Sequence, residues 1–146
     1  MKNNKWYVIS TFVLGCIVIN FAGRILSDRL QLPLWLDSFG TVTAAYVLGP
    51  FCAAMVGMTV NLTYGILYSW TNMFYAVVSA MVGITTGICV KKGFLKNLYG
   101  VLSTSFLIAV LSVTLSVPLN YLYCDGSTQN IWGDGVIESM EKVGFN

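Results

Sequence analysis

Residues 38–90 read SFGTVTAAYVLGPFCAAMVGMTVNLTYGILYSWTNMFYAVVSAMVGITTGICV and contain no charged residue. Two further charge-free stretches, residues 6–23 and 97–124, lie on either side of it. A helix on the surface of a soluble protein needs a polar face, so stretches this long and this apolar cannot form such helices. The chain is 56% hydrophobic and 10% charged, against about 25% charged residues in a typical soluble domain. The sequence therefore predicts an integral membrane protein.

The number of predicted spans follows from length and from the residues that interrupt the apolar runs. A membrane-spanning helix needs about 20 apolar residues, so residues 38–90 hold more than one. Gly49-Pro50 divides them, because proline disfavours a helical residue before it and suits the first turn of a new helix. Pro118 lies close enough to the end of the last span to kink it rather than break it. We predict an all-α transmembrane bundle with five visible spans of a probable six, the second one short, at about residues 6–23, 35–49, 51–68, 72–90 and 98–123.

The basic residues predict the orientation of these spans. With the N-terminus in the cytoplasm, five lysines face inside and two arginines face outside, in agreement with the positive-inside rule. These residues are Lys2, Lys5, Lys91, Lys92 and Lys96 inside, and Arg24 and Arg29 outside. We therefore expect a multi-pass protein of the plasma membrane whose N-terminus is cytoplasmic.

The C-terminal tail differs from the spans. Residues 130–143 place apolar side chains on roughly one helical face and charged ones on the other, which predicts an amphipathic helix at the membrane surface. We expect residues 1–146 to form a single membrane domain. The chain is either a complete five-span protein or the front part of a longer one, and we favour the second interpretation.

The sequence offers little for catalysis. It contains no histidine, and no charged residue lies deep within a predicted span, so neither a base beside a nucleophile nor a carboxylate pair is expected. The four cysteines, at positions 16, 52, 89 and 124, are widely spaced and are interpreted as small apolar residues rather than metal ligands. We predict no enzyme activity, no cofactor and no metal. The net charge of +2, without a basic stripe, argues against a nucleic-acid partner.

Small residues recur at intervals that permit close helix packing. Ser79, Gly83 and Gly87 are spaced by four residues along the fourth predicted span, and Gly15, Ala22 and Gly23 lie in the first. Small residues at this spacing let helix backbones approach each other in a membrane. They are expected to serve either packing within the chain or docking of a separate membrane protein.

Polar and aromatic residues gather at the predicted outer ends of the spans. An aromatic belt at the membrane–water interface would account for the rings alone. However, amide and carboxylate groups at an apolar boundary need partners, and with flanking rings they could line a ligand pocket. Asp37 has a simpler alternative, as a residue that starts a helix. The candidate ligand-binding residues are Trp35, Asp37, Tyr68, Asn72, Tyr75, Asn120 and Trp132.

One region resembles a known family. Residues 32–41 read LPLWLDSFGT and are followed by Leu48-Gly49-Pro50, by Met73-Phe74-Tyr75-Ala76 and by a Lys91-Lys92-Gly93-Phe94 ending. This pattern is similar to the substrate-capture (S) subunits of energy-coupling-factor transporters, mainly over residues 15–96. The resemblance implies a six-helix bundle that binds a vitamin or similar micronutrient from outside, beneath a lid at residues 24–36. It also implies a membrane coupling subunit and a pair of ATPases on other chains.

The sequence departs from that family at the first helix. There the family docks on its coupling subunit through two alanines four residues apart, whereas this chain has Gly15, Cys16, Ala22 and Gly23. Similar membrane modules also precede bacterial sensor kinases and phosphatases. The alternative function is therefore a sensory input module, which a kinase or phosphatase domain encoded downstream would identify. A structural or assembly role in the membrane is the third possibility.

Overall fold

The computed structural model describes residues 4–32, 36–127 and 131–144, and these residues form helices and turns without a β-strand. The α-helices are α1 (Asn4–Leu30), α2 (Phe39–Val47), α3 (Pro50–Leu67), α4 (Tyr75–Lys91), α5 (Leu98–Tyr123) and α6 (Ile131–Lys142). Single 3-10 turns, at Leu36–Ser38, Trp70–Met73 and Phe94–Lys96, precede α2, α4 and α5. The all-helical prediction is confirmed.

Four helical segments are long and apolar enough to cross a membrane. They are Asn4–Leu30, Pro50–Leu67, Trp70–Lys91 and Leu98–Tyr123. A helix satisfies its backbone hydrogen bonds internally, which a chain in lipid requires. These four helices indicate a membrane protein, as the charge-free stretches predicted. The last one continues through Pro118 to Tyr123, so proline does not break it.

The second predicted span, residues 35–49, differs in the structure. Its helix, α2, has nine residues and is therefore about 13 Å long, less than half of the ~30 Å hydrocarbon core. Four helices rather than five thus have the length of a span. The helix ends early at Gly49 and Pro50. Gly49 has a φ of 93°, which only glycine adopts readily, and Pro50 starts α3.

Helix α2 is buried by its neighbours although it is short. Gly40, Thr41, Ala44 and Ala45 are all buried, and α2 packs against α1, α3 and α4. Because these side chains are small, the three longer helices can close around a helix of two and a half turns. The centre of the bundle, with Val56 of α3 fully buried, lies beside α2.

Close packing of α3 on α4 uses the row of small residues in α4. A Cβ atom on Gly83 would lie 2.7 Å from backbone atoms of Ala53 and Ala54, and one on Gly87 would overlap Pro50. Ser79, the third member of the row, faces Gly57, whose Cβ would lie 3.0 Å from the Ser79 Cβ. Ser79, Gly83 and Gly87 therefore serve packing within the chain.

Two buried asparagines join helices within the apolar bundle. Asn20 of α1 has no exposed surface; its Oδ1 accepts the Gly40 N–H at 2.6 Å, and its Nδ2 donates to the Thr41 Oγ1 at 2.9 Å. Asn61 of α3 donates to the Ser79 Oγ of α4 at 2.6 Å. Because a buried amide needs such partners in an apolar environment, these contacts restrict how the helices can pack.

The small residues predicted in α1 have three different environments. A Cβ atom on Gly23 would overlap the Leu36 carbonyl, so Gly23 lets the connection to α2 pass close to α1. Ala22 is exposed. Gly15 faces open space, because a Cβ placed there would meet no atom within 4 Å. Only Gly23 of these three is used in packing within the described chain.

Candidate functional site

Polar contacts between helices define one end of the bundle, here called the arginine end after Arg24. The last turns of α1, α3 and α5 meet the first turns of α2 and α4 there, because successive helices run in opposite directions. Arg24 contacts Asn72, just before α4, and Tyr75 of α4 contacts Asn120 of α5. Most of the predicted ligand-binding residues lie at this end.

Arg24 is at the centre of the arginine end. Its Nη1 donates to the Asp37 Oδ2 at 3.1 Å and its Nη2 donates to the Asn72 Oδ1 at 2.8 Å. The Arg24 and Asp37 side chains are 15% and 9% exposed, and Asn72 is buried. One guanidinium thus joins α1, the turn before α2 and the turn before α4. Removing one partner of a buried ion pair strongly destabilises the folded protein, because the other charge is left buried without a counter-charge.

A second carboxylate and an aromatic ring complete the surroundings of Arg24. Asp28, one turn later in α1, lies 3.8 Å from the Arg24 Nε and accepts a hydrogen bond from the Tyr64 hydroxyl. The Arg24 Cζ lies 4.7 Å from the centre of the Tyr64 ring, within cation–π range. Two carboxylates and one guanidinium give this group a formal net charge of −1.

A second set of contacts joins the start of α4 to the end of α5. The Tyr75 hydroxyl donates to the Asn120 Oδ1, and the rings of Phe74 and Tyr123 stack at 3.9 Å with an angle of 16°. Trp70 meets Phe74 edge-on at 5.4 Å. The sequence placed Tyr75 and Asn120 at the same end of the bundle, and the structure pairs them directly.

The remaining predicted residues lie at the edge of the arginine end. Tyr68 is 64% exposed and contacts the Tyr64 ring at 4.5 Å. Trp132 of α6 donates its indole N–H to the Gln31 carbonyl at 2.8 Å, which ties α6 to the end of α1. Trp35, the seventh predicted ligand-binding residue, falls outside the described residues.

Arg24 is the residue that sequence reasoning missed. The sequence predicts it only as an outward-facing basic residue just beyond the first span at residues 6–23, whereas α1 continues past it to Leu30. The signal was present in its spacing, because Asp28 follows it by one helical turn and Asp37 is the next acidic residue along the chain. An arginine at an apolar boundary needs a counter-charge, so this pattern could have been taken as an ion pair.

The polar groups of the arginine end are paired with one another in the structure. Arg24 is bonded to Asp37 and Asn72, and Tyr75 to Asn120. A groove of about 550 Å3 lies elsewhere, between α1 and α2, and none of the predicted ligand-binding residues lines it. A ligand that uses Arg24 or Asp37 must therefore exchange with contacts inside the chain. Within the described ranges no three Cys, Asp or Glu side chains are grouped as a metal site would require.

Comparisons with protein-family models, with curated proteins and with solved structures give no match to this chain.

Proposed function

We propose that this chain is the membrane substrate-binding subunit of an uptake transporter of the energy-coupling-factor type, which captures a vitamin-like micronutrient from outside the cell. The resemblance of residues 32–41 and of the segments that follow supports this proposal. The all-helical apolar bundle agrees with it. In this proposal a membrane coupling subunit and an ATPase pair, on other chains, supply the energy for transport.

The observation that carries the proposal is the position of the Arg24–Asp37–Asn72 group. Asp37 belongs to the motif on which the resemblance depends, and its carboxylate is 9% exposed and bonded to Arg24. Charged groups at a membrane boundary are expensive to bury, which makes them candidates for functional residues. In a protein with a purely packing role, apolar side chains would fill this space at lower energetic cost.

The arginine end faces outside in this proposal. Lys5 at the start of α1 and Lys91, Lys92 and Lys96 between α4 and α5 all lie at the opposite end. Placing that lysine end in the cytoplasm agrees with the positive-inside rule. The arginine end then meets solutes from the exterior, and a bound ligand exchanges its polar groups with those of Asp37, Arg24 and Asn72.

Ligand binding can be tested by thermal unfolding of the purified protein in detergent with a panel of vitamins and related micronutrients. A ligand at a hundred times its dissociation constant stabilises the folded state by about 2.7 kcal/mol. We expect one compound to stabilise the wild type, and Asp37→Ala to abolish this stabilisation while the protein still inserts into the membrane. Glu138→Ala, at an exposed position of α6, is the control and should keep it. If no compound stabilises the protein, or if Asp37→Ala responds as the wild type does, the proposal fails.

Orientation is tested with thiol labelling of intact cells. In a background with all four native cysteines replaced by serine or alanine, Trp70→Cys introduces a thiol at a 61% exposed position of the arginine end. Lys92→Cys introduces one at the exposed lysine end. An impermeant maleimide should label position 70 and leave position 92 unlabelled until the cells are opened. The reverse pattern would place the arginine end in the cytoplasm and contradict capture from outside.

A further inference from the structure

The connection between α4 and α5 carries three lysines within six residues. Residues 91–96, here called the lysine turn, contain Lys91, Lys92 and Lys96, and all three are exposed. None of them belongs to an ion pair formed within the described ranges. The lysine turn therefore presents three positive charges that no carboxylate of the described chain neutralises.

Acidic side chains all lie away from the lysine turn. Asp28 and Asp37 belong to the arginine end, and Asp125 follows the end of α5 there. The other three acidic residues are in α6, which Trp132 ties to the end of α1. With 12 residues, α6 is about 18 Å long and does not reach across the ~30 Å hydrocarbon core. The charge at the lysine end, which also includes Lys5, is therefore exclusively positive among the acidic and basic side chains.

The backbone of the lysine turn is held by local contacts. Gly93 has a φ of 78°, which glycine adopts readily, and its carbonyl accepts the Lys96 N–H at 3.2 Å. A Cβ atom on Gly100 would overlap the Phe94 carbonyl, so the turn packs directly on the first turn of α5. Side chains on an ordered turn lose less conformational entropy when they bind a ligand than side chains on a mobile loop do.

Two of the lysine side chains extend across neighbouring backbone. The Lys91 Cε lies 3.7 Å from the position that a Cβ atom on Gly49 would occupy, so this side chain crosses the turn between α2 and α3. The Lys96 Cδ and Cε both lie 3.8 Å from the corresponding position on Gly93. The cationic surface thus extends from the start of α5 to the turn between α2 and α3.

The lysine turn lies at the level of the lipid headgroups. It joins Trp70–Lys91 to Leu98–Tyr123, two helical segments long and apolar enough to cross a membrane. The first has 22 residues, or about 33 Å, which matches the ~30 Å core and places Lys91 at its boundary. Phe94 and Tyr99, which are 47% and 87% exposed, carry rings of the kind that favour this boundary.

We propose that the lysine turn binds the phosphate of an anionic phospholipid in the leaflet at the lysine end. Lysine binds phosphate as a compact point charge, and basic clusters beside membrane-spanning helices bind anionic lipids, with a gain of about fivefold in affinity for each side chain. An acidic protein would meet the same charges, but the exposed rings of Phe94 and Tyr99 beside them favour the lipid interface. The proposal depends neither on the transporter function nor on which end faces the cytoplasm.

The test uses the full chain in vesicles of equal parts phosphatidylcholine and phosphatidylglycerol, extracted in mild detergent and examined by native mass spectrometry. We expect the retained lipid to be enriched in phosphatidylglycerol by a factor of about five or more. Lys92→Gln/Lys96→Gln should lower this enrichment about fivefold or more, whereas Lys92→Arg/Lys96→Arg keeps both charges and should keep the enrichment. The mass of the retained molecule distinguishes a phospholipid from inorganic phosphate.

A matched variant separates a lipid bound at the lysine turn from a general attraction between charges. Arg29→Gln/Lys142→Gln removes two exposed cations of α1 and α6 and changes the net charge by the same amount. It should retain phosphatidylglycerol as the wild type does. Because all the replaced side chains are exposed, each variant should keep the thermal midpoint of the wild type, which confirms that it is folded.

Polyglutamate, added to the extracted wild type, tests the alternative of an acidic protein partner. It should not displace the lipid, because acyl chains in the detergent micelle keep the phosphate beside the lysines. Displacement would assign the lysine turn to an acidic protein and overturn the proposal. Equal retention of the two lipids by the wild type, equal losses in the two glutamine variants, or a retained phosphate ion without lipid would overturn it as well.

Discussion

The Arg24 guanidinium and the Asp37 carboxylate pair at 3.1 Å across the connection between α1 and α2, and both side chains are largely buried. Asn72 accepts a further hydrogen bond from the same guanidinium at 2.8 Å. Three segments that are distant in sequence therefore converge on one cation. This arrangement makes Arg24 important for stability as well as a candidate for ligand binding.

Removing Arg24 should destabilise the fold strongly. Arg24→Ala leaves the buried Asp37 carboxylate without its cation, for which a loss of about 3–5 kcal/mol is expected. Chemical unfolding in detergent, followed by circular dichroism, measures this change. The double variant Arg24→Ala/Asp37→Ala should lose less than the sum of the two single variants, because the pair is coupled.

The control for this experiment is Arg29→Ala, in the exposed last turn of α1. It should change stability by no more than about 0.5 kcal/mol. Equal losses for Arg24→Ala and Arg29→Ala would mean that the ion pair contributes nothing.

The hydrogen bonds of the buried Asn20 amide predict that Asn20→Ala lowers the stability of the fold more than Thr41→Val does. Asn20→Ala removes the hydrogen bonds to Thr41 and to the Gly40 N–H, leaving a buried backbone donor unpaired, and should cost about 1–3 kcal/mol. Thr41→Val removes only one of the two bonds and should cost less, about 0.6–1.7 kcal/mol. The free energy of unfolding in detergent distinguishes the two.

Thr43→Ala serves as the comparison, since its exposed hydroxyl donates to the Phe39 carbonyl of its own helix. It should leave stability nearly unchanged. If Asn20→Ala lowers the free energy of unfolding no more than Thr43→Ala does, the polar contact between α1 and α2 has no stabilising role.

The same substitution at two glycines of membrane helices should have opposite effects. Gly83→Ala places a Cβ 2.7 Å from the α3 backbone, and the forced separation of α3 and α4 should cost about 1–3 kcal/mol. Gly15→Ala meets open space and gains helix propensity, up to about 1 kcal/mol. Thermal midpoints of the two variants in one detergent measure the difference. A stable Gly83→Ala protein would contradict the close α3–α4 contact.

The indole of Trp132 is expected to hold α6 against α1. Trp132→Phe removes the hydrogen bond to the Gln31 carbonyl and keeps an aromatic ring. A loss of about 1 kcal/mol should increase amide hydrogen exchange in residues 131–142 about fivefold. Trp70→Phe, whose ring contacts Phe74, should leave exchange in α6 unchanged. Unaltered exchange in Trp132→Phe would show that α6 is held by other contacts.

The sequence by itself determined the helical membrane class and the positions of α1, α3, α4 and α5, because an apolar stretch of sufficient length in lipid can satisfy its backbone only as a helix. It also located most of the polar residues at one end of the bundle. Successive spans run in opposite directions, so their order along the chain determines which helix ends lie on the same side of the membrane. A short second element was predicted, but not that its helix has only nine residues, because a helix of that length is stable there only through burial by α1, α3 and α4.

Only the tertiary structure decided which polar groups meet. Arg24 pairs with Asp37, 13 residues away, and with Asn72, 48 residues away, and the pattern of charges alone does not select these partners. The choice depends on how closely the helices pack, which small residues such as Gly23 and Gly83 permit. The hydropathy of a segment depends only on its own residues, whereas the residues that meet in a binding site depend on how the segments pack against one another.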